Sequence, residues 1–276
     1  MNEYRHLLER IRSIAREAGA AILEVYERDF GVETKADHSP LTDADRDANR
    51  IILRGLEGLS PRIPVVSEEA AAADHAQRLA WTRYWLVDPL DGTKEFIKRN
   101  GEFTVNIALV EDHAPVLGVV LAPALGREYF GGPAVGGAWR ADPGAEPRPI
   151  HTSPTPQSPL RVVGSRSHGN GGTLERYLDA LGGEHELRPM GSSLKICLVA
   201  EGEADIYPRF GPTSEWDTAA AQAVLEGAGG CMMDLSGQPL RYNRGESVLN
   251  PHFLAVGNLG RDWLAPIRSD SWMAAP

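Results

Sequence analysis

Two aspartates stand three residues apart where an apolar run ends, at Asp88 and Asp91. Residues 85–87 before them are typical of a buried strand, and the Gly92-Thr93 step after them is typical of the start of a helix. Mg²⁺ prefers oxygen ligands, so both carboxylates and the Leu90 carbonyl can share one or two ions that bridge to a phosphoryl oxygen. The segment therefore predicts a metal-dependent phosphatase site. The competing interpretation is that both aspartates only cap a turn and a helix.

A phospho-aspartate mechanism is a second alternative for this segment. Its haloacid dehalogenase pattern is Asp-x-Asp-Gly-Thr, in which the nucleophilic aspartate stands two residues before the second one. Pro89 occupies that position here. The spacing therefore favours attack by water on a phosphate that metal ions hold.

Two further acidic positions extend this site. Glu68 ends an apolar run about twenty residues before Asp88, as expected if neighbouring strands bring their carboxylates to one edge of a sheet. Asp217 stands in the first turn of a predicted small-residue helix that ends at Gly227. The alternative for Glu68-Glu69 is a solvated pair of surface charges. The alternative for Asp217 is a carboxylate at a helix terminus that is stabilised there by the helix dipole and has no other role.

These three acidic motifs, in this order, resemble the inositol monophosphatase family of Mg²⁺-dependent, lithium-sensitive phosphatases. Residues 84–109, 191–202 and 207–213 are more closely similar to its CysQ branch, the 3′(2′),5′-bisphosphate nucleotidases. The resemblance runs from about residue 35 to residue 251. It implies a mixed α+β and α/β fold, the layered αβαβα sandwich. It also implies hydrolysis of 3′-phosphoadenosine 5′-phosphate to AMP and phosphate, in sulfur metabolism and nucleotide recycling.

The resemblance implies roles for individual residues. The implied magnesium ligands, for two or three ions, are Glu68, Asp88, the Leu90 carbonyl, Asp91 and Asp217. Glu68 and Thr93 are implied to orient the attacking water, and Asp45 to support that water or an additional ion. Lithium is implied to inhibit by occupying a magnesium position. The implied substrate-binding residues are Glu68, Leu90, Asp91, Gly92, Thr93, His168, Ser192, Lys195, Arg209 and Asp217.

Lys195 and Arg209 are the cations that a substrate with a second phosphate needs beyond the metal ions, and planar guanidinium matches phosphate well. The alternative is that Lys195 snorkels from a helix and that Arg209 lies on a loop. His168 follows a predicted strand over residues 160–163, where it can contact phosphate or nucleoside. A plain surface histidine is the favoured interpretation over a catalytic role.

Two other functions remain open. The same metal site serves an inositol monophosphatase or a fructose 1,6-bisphosphatase, and cleavage of 3′-phosphoadenosine 5′-phosphosulfate is also left open. A protein that binds metal and a phosphorylated ligand without turnover is the alternative outside catalysis.

Composition is consistent with a compact enzyme acting on a small phosphorylated nucleotide. The chain has 276 residues, of which 42% are hydrophobic, and a formal charge of -10. The acidic balance and the lack of a basic stripe disfavour a nucleic-acid partner. Two cysteines indicate no disulfide framework and a reducing compartment. We expect a cytoplasmic monomer or homodimer without a signal peptide or integral membrane segment, with peripheral contact at the inner membrane left open.

The elements that must position these residues follow from periodicity and turn signals. A proline-rich stretch over residues 142–159 marks a predicted boundary between an N-terminal α+β domain, residues 1–153, and a C-terminal α/β domain, residues 154–276. The N-terminal half is predicted to hold helices over residues 3–30 and 43–58 and an antiparallel meander over residues 103–139. In the C-terminal half, strands over residues 160–163, 186–187 and 204–207 alternate with helices over residues 172–181, 193–202 and 217–227. The active site is predicted between the two halves.

Overall fold

The computed structural model describes residues 3–34, 40–59, 62–70, 75–165 and 172–268. Within these ranges the helices are α1 (Glu3–Tyr26), α2 (Asp43–Glu57), α3 (His75–Leu79), α4 (Thr93–Ile97), α5 (Thr173–Leu181), α6 (Leu194–Ala200), α7 (Ala219–Gly227) and α8 (Ala265–Arg268). The strands are β1 (Val32–Thr34), β2 (Pro40–Thr42), β3 (Val65–Ser67), β4 (Arg83–Asp91), β5 (Thr104–Glu111), β6 (Ala114–Ala122), β7 (Arg127–Gly132), β8 (Gly137–Ala141), β9 (Arg148–Pro149), β10 (Leu160–Ser165), β11 (His185–Met190), β12 (Ile206–Arg209), β13 (Cys231–Asp234) and β14 (Phe253–Val256).

Two large sheets organise these strands. The first has seven strands in the order β3-β4-β5-β6-β7-β8-β9, where β3 and β4 are parallel and every later pair is antiparallel. The predicted antiparallel meander is therefore confirmed. The second sheet has five strands in the order β11-β10-β12-β14-β13, with β10 parallel to both of its neighbours. A small hairpin pairs β1 with β2.

Helices and sheets alternate in five layers. Helices α1 and α2 pack on one face of the seven-stranded sheet, and α7 packs on its other face. Helix α6 contacts both α7 and the five-stranded sheet, whose remaining side is covered by α5 and α8. The predicted mixed fold with αβαβα layering is confirmed.

Strand β4 shows why a strand of the seven-stranded sheet, which helices cover on both faces, has a continuous run of apolar residues. Tyr84 and Leu86 belong to the core shared with α6 and α7, whereas Trp85 and Val87 belong to the core shared with α1 and α2. Alternate side chains of a strand point to opposite faces, so a strand covered on both sides must be apolar throughout.

Several predicted boundaries differ from the structure. The first helix ends at Tyr26 instead of residue 30. Leaving the helix there lets Phe30 pack against Phe96 of α4, with ring centroids 4.8 Å apart. Arg99 also donates to the Tyr26 and Arg28 carbonyls at this end of the helix. Tertiary packing therefore overrides helical periodicity over the last four residues of the prediction.

In the second half, sequence reasoning missed β13 and β14. Both strands are only four residues long, and β13 forms the edge of the five-stranded sheet, where it pairs with β14. The change from one sheet to the other falls between Pro149 and Leu160, within the predicted boundary stretch. The division into two domains at residue 153 stays a prediction. None of the helices in the described ranges combines the length and the apolar character needed to cross a bilayer.

Candidate active site

Parallel pairing of β3 and β4 brings Glu68 beside Asp88. Ser67 lies opposite Val87 in the register, and the Glu68 amide donates to the Val87 carbonyl at 3.2 Å. The side chains of Glu68 and Asp88 share a hydrogen bond. The prediction that neighbouring strands carry both acids to one edge is therefore confirmed in its geometry.

A bulge in β4 allows Asp88 and Asp91 to serve the same site. Asp88 lies opposite Asn106 and Asp91 opposite Thr104, so β4 has one residue more than β5 over this stretch. In a regular strand, residues three apart would face opposite sides of the sheet. The extra residue removes that conflict, as bulges beside active sites commonly do.

Asp217 reaches the site from the second half of the chain. It is the last residue of a 3-10 turn, Glu215–Asp217, that precedes α7. The prediction that Asp217 lies in the first turn of the helix is therefore wrong by two residues. The reason is local: the Asp217 carboxylate accepts the Ser214 amide at 2.9 Å, in a capping box that closes the turn before the helix begins.

The four acids form one electrostatic cluster. Burial, followed by the charges of Glu68, Asp91 and Asp217, raises the pKa of Asp88 well above its usual range. Burial also raises the pKa of Asp91 to about 6, against the opposing charge of Lys195 and a hydrogen bond from the Ser193 amide. For Asp217, burial and then the charge of Asp91 raise the pKa to about 8. The site therefore concentrates negative charge beyond what its own cations offset.

This donor set fits a hard divalent cation by its chemistry. The donors are carboxylate oxygens and a carbonyl, which Mg²⁺ prefers. Among the described residues, no three acidic, histidine or cysteine side chains already converge at ligand distances. Instead Glu68 and Asp88 bond to each other, and Asp91 accepts the Ser193 amide at 2.6 Å through Oδ2.

Thr93 lies between a carboxylate and a carbonyl. Its hydroxyl is 3.3 Å from Oδ1 of Asp45 and 3.4 Å from the Leu90 carbonyl oxygen. Asp45 is held by its other oxygen, which accepts the Thr42 amide and hydroxyl at 2.7 Å each. A threonine hydroxyl donates only one hydrogen, so it can direct a lone pair at a water while Asp45 accepts that hydrogen. Two of the three residues that the family resemblance implied for positioning the water, Thr93 and Asp45, therefore lie together.

A cavity of about 270 Å³ opens beside these groups. Seven of the predicted substrate-binding residues line it: Asp91, Gly92, Thr93, Ser192, Lys195, Arg209 and Asp217. Glu68 and Leu90 are not part of this lining, and His168 lies outside the described residues. Tyr207 and Phe253 add aromatic surface at the same cavity.

Lys195 and Arg209 are both buried at this cavity, which contradicts the alternative interpretations of them. Lys195 is 7% exposed, and its ammonium donates to the Ser192 carbonyl at 2.5 Å instead of snorkelling to solvent. Burial lowers its pKa to about 8, although the charge of Asp91 opposes that shift. Arg209 is also 7% exposed and ends β12 instead of lying on a loop. Its Nη2 donates to the Pro212 carbonyl at 2.7 Å, whereas its buried Nε has no partner.

Sequence reasoning missed the residues that hydrogen-bond the loop before α6, which leads to Lys195, to the seven-stranded sheet. The Ser193 hydroxyl is 2.8 Å from Oδ1 of Asn106 and 2.8 Å from the Thr104 hydroxyl. Together with the bond from the Ser193 amide to Asp91, these contacts join the loop before α6 to β4 and β5. The one available signal was two polar residues, Thr104 and Asn106, on one face of an otherwise apolar strand.

The acid cluster predicts how stability depends on pH without divalent cations. The unfolded chain has aspartate pKa values of 3.8, against about 6 for Asp91 and about 8 for Asp217 in the fold. Between those limits the folded state binds more protons than the unfolded chain, so stability is expected to fall as pH rises. Thermal unfolding in a chelator, over buffers spanning this range, measures the slope.

Two comparisons sharpen this measurement. Mg²⁺ is expected to restore thermal stability most strongly at the alkaline end, because an ion that binds only the fold stabilises it. The Asp217→Asn variant, which lacks the group whose pKa rises furthest among those with a value, is expected to show a shallower slope. A midpoint that rises across the range in the parent protein would contradict the prediction.

Comparison with known proteins shows the family of this chain. The family model for the inositol monophosphatase family matches residues 3–267. The 3′(2′),5′-bisphosphate nucleotidase CysQ of Shigella flexneri is 51% identical over 249 residues, which cover 90% of this chain and 98% of that protein.

Solved structures show the same likeness. The crystal structure of CysQ from Bacteroides thetaiotaomicron has a TM-score of 0.81 at 40% identity, covering 94% of this chain and 99% of that one. An IMPase/NADP phosphatase solved in complex with Mg²⁺ and phosphate has a TM-score of 0.71 at 17% identity, covering 93% of this chain and 92% of that one. The second likeness is one of fold.

Proposed function

Because this chain belongs to the inositol monophosphatase family, we propose that it removes the 3′-phosphate of 3′-phosphoadenosine 5′-phosphate in a Mg²⁺-dependent reaction. The products are AMP and phosphate. Relatives with about half of this sequence in common are 3′(2′),5′-bisphosphate nucleotidases, and the chain is accordingly a phosphatase of bisphosphate nucleotides. The proposal adds the identity of the nucleotide, the metal and the roles of individual residues.

The observation that carries the proposal is one cavity that joins the acid cluster to two buried cations. Asp91, Thr93 and Asp217 line this cavity together with Lys195 and Arg209. A substrate with a single phosphate would leave Lys195 and Arg209 without an anion to bind. A substrate with two anionic groups, one cleaved and one recognised, would use both the acid cluster and the two cations.

On the acidic side, Glu68, Asp88, Asp91, Asp217 and the Leu90 carbonyl are proposed to hold the magnesium ions. Bound Mg²⁺ would neutralise the phosphate and lower the pKa of water. Thr93, with its hydrogen directed at Asp45 or at the Leu90 carbonyl, would orient the water together with Glu68. The proton that the water loses is balanced by the one that the departing 3′-oxygen takes up to become a hydroxyl.

On the basic side, Arg209 is proposed to bind the second anionic group. Its Nε is buried and unpartnered, and a guanidinium binds phosphate through two parallel donors. Lys195 adds charge beside it, 5.4 Å from the Tyr207 ring. The second group can be a phosphate or a phosphosulfate, so 3′-phosphoadenosine 5′-phosphosulfate belongs among the candidate substrates.

Phosphate release from a panel of substrates tests this function. The panel is 3′-phosphoadenosine 5′-phosphate, its 5′-phosphosulfate analogue, adenosine 3′-monophosphate, inositol 1-phosphate and fructose 1,6-bisphosphate, each with Mg²⁺, with Mg²⁺ plus Li⁺, and with chelator. We expect the highest kcat/KM for the adenosine bisphosphate, loss of activity in chelator, inhibition by Li⁺, and AMP as the nucleotide product.

A single variant separates recognition of the second anion from catalysis. Arg209→Lys keeps the charge but loses the planar donor pair. A hydrogen bond to a charged group contributes about 1.5–3 kcal/mol, so kcat/KM for the bisphosphate is expected to fall about tenfold or more. Adenosine 3′-monophosphate has no second phosphate and serves as the internal control, with its kcat/KM unchanged.

The panel also identifies the competing functions. Preference for inositol 1-phosphate or fructose 1,6-bisphosphate would keep the metal site and overturn the nucleotide assignment. Binding of Mg²⁺ without phosphate release from any member would favour a regulatory binding protein. The monomer or homodimer state, the cytoplasmic location and any contact with a membrane surface stay predictions.

A further inference from the structure

Arg78 of α3 is buried, and it lies on the segment between the two strands that carry Glu68 and Asp88. Its guanidinium donates through Nη1 to Oδ1 of Asn243 at 2.6 Å. Through Nη2 it donates to the carbonyls of Gly245 and Glu246 at 3.0 and 2.9 Å. A helix of five residues is thereby joined to a chain segment more than 160 residues away.

Asn243 completes a reciprocal pair with Arg78. Its side-chain amide donates to the Arg78 carbonyl at 2.7 Å, while its carbonyl oxygen accepts from the guanidinium. Asn243 is 1% exposed and has a φ of 55°. Asparagine is among the few residues other than glycine that tolerate this left-handed backbone. We call this pair the Arg78–Asn243 bridge.

The bridge continues to the turn that carries Asp217. The Asn243 backbone amide donates to Oε1 of Glu215, the first residue of the Glu215–Asp217 turn, at 2.8 Å. The Glu215 amide in turn donates to the Val248 carbonyl at 2.8 Å, and the Asn250 side chain donates to the Ser214 carbonyl at 2.7 Å. The segment 243–250 therefore holds the Asp217 turn, and Arg78 holds that segment.

We propose that Arg78 and Asn243 are positioning residues for the proposed metal site, fixing the Asp217 turn relative to the strand ends that carry Glu68 and Asp88. Neither residue is proposed to touch metal, substrate or water. This inference rests on the proposed function, because it assigns the ion to Glu68, Asp88, Asp91 and Asp217. Partners that orient ligand residues typically change metal affinity about 10- to 100-fold when they are removed.

The layout distinguishes positioning from general stabilisation. Three of the carboxylates that must act on one ion lie at the ends of β3 and β4 in the seven-stranded sheet, whereas Asp217, 126 to 149 residues further along the chain, lies on the 3-10 turn before α7. Their relative placement depends on contacts between the halves, and the bridge lies between α3 and the loop that packs on the Asp217 turn. Loss of the bridge should loosen one ligand relative to the other three, which lowers ion affinity before it affects substrate affinity.

The test uses the full-length protein with the variants Arg78→Lys and Asn243→Gly. Arg78→Lys keeps a buried cation but loses the forked donors to Asn243, Gly245 and Glu246. Asn243→Gly removes only the side-chain half of the bridge, because glycine keeps both the left-handed backbone and the amide bonded to Glu215. The matched control is Arg12→Lys, since Arg12 is a buried arginine that bonds Glu128 with two nitrogens and lies on α1.

Three quantities are measured: the Mg²⁺ concentration that gives half of the maximal rise in thermal midpoint, the Mg²⁺ concentration for half-maximal phosphate release, and KM for substrate at saturating Mg²⁺. For both bridge variants we expect the first two to rise about tenfold with KM unchanged. Arg12→Lys is expected to lower the midpoint while leaving all three Mg²⁺ and substrate quantities at parental values.

Each outcome bears on the proposal. Parental Mg²⁺ dependence in both bridge variants would overturn it, as would an equal shift in Arg12→Lys, which would show that any loss of stability weakens ion binding. A parent protein that responds to Mg²⁺ in the melting experiment but does not hydrolyse the nucleotide overturns the proposed substrate and leaves the bridge supported if its variants still shift. A parent without a thermal response to Mg²⁺ overturns both.

Discussion

Replacement of Asp91 by asparagine is expected to lower kcat about a thousandfold while the protein stays folded. Metal ions contribute several kcal/mol of charge stabilisation to phosphoryl chemistry, and about 1.4 kcal/mol corresponds to a tenfold change in rate. Asparagine removes the charge that the ion requires but keeps an oxygen that can accept the Ser193 amide, now at 2.6 Å from Asp91. Steady-state phosphate release with saturating Mg²⁺ and 3′-phosphoadenosine 5′-phosphate measures the loss.

Stability should move in the opposite direction. Burial and like charges raise the pKa of Asp91 to about 6, so near neutral pH the carboxylate is ionised at a cost to the fold. In chelator, the Asp91→Asn variant is therefore expected to melt at or above the parental temperature. A variant that loses activity and also melts much earlier would indicate a structural role instead.

A buried aspartate outside the site provides the matched control. Asp205 is 1% exposed, and its carboxylate accepts from Arg161 at 2.8 Å. The Asp205→Asn variant breaks an ion pair without touching the cavity, so it should melt earlier while kcat stays parental. Parental turnover in Asp91→Asn, with Asp205→Asn behaving as expected, would reject the proposed metal role of Asp91.

The second large effect is expected at Thr93. Thr93→Val keeps the shape of the side chain but removes the hydroxyl that lies 3.3 Å from Asp45 and 3.4 Å from the Leu90 carbonyl. Positioned groups that direct a proton contribute about 10²- to 10⁴-fold to a rate, so kcat is expected to fall by about that factor. The Mg²⁺ dependence of thermal stability should stay close to parental, because no proposed ligand is lost.

The chain offers a matched threonine. Thr173 begins α5 after Gly172, whose φ is 80°, just as Thr93 begins α4 after Gly92, whose φ is 90°. Thr173→Val tests what the loss of a hydroxyl at a helix start costs away from the site, and it should leave kcat unchanged. Thr93→Ser restores a hydroxyl and should recover most of the rate. Equal kcat in Thr93→Val and the parent would remove Thr93 from the mechanism.

Asp91 also links the acid cluster to the segment that carries Lys195. One of its oxygens accepts the amide of Ser193, which lies in the loop that leads to Lys195. The neighbouring Ser192 carbonyl accepts the Lys195 ammonium. A shift of Asp91 toward an ion therefore acts on the segment that is proposed to bind substrate.

The carboxylates on the strands could be predicted from local patterns in the sequence, whereas the family and the αβαβα layering were implied by resemblance to known motifs. The apolar run located the strand before Asp88, but the prediction that it ends at residue 87 is wrong: β4 continues to Asp91, which pairs with Thr104 beyond a bulge. Glu68 follows an apolar run one strand earlier, and the parallel pairing of β3 and β4 confirmed that placement. The two short strands β13 and β14 lacked such a pattern and were missed.

Only the tertiary structure decided which distant groups meet. Ser193 bonds Asn106, 87 positions away, and Arg78 bonds Asn243, 165 positions away, without any local signal that pairs them. The burial of Lys195 and Arg209 likewise depends on how α6 and the five-stranded sheet pack against the first half of the chain. Periodicity and turn chemistry act over a few residues, whereas these contacts exist because two sheets and the helices between them exclude water together.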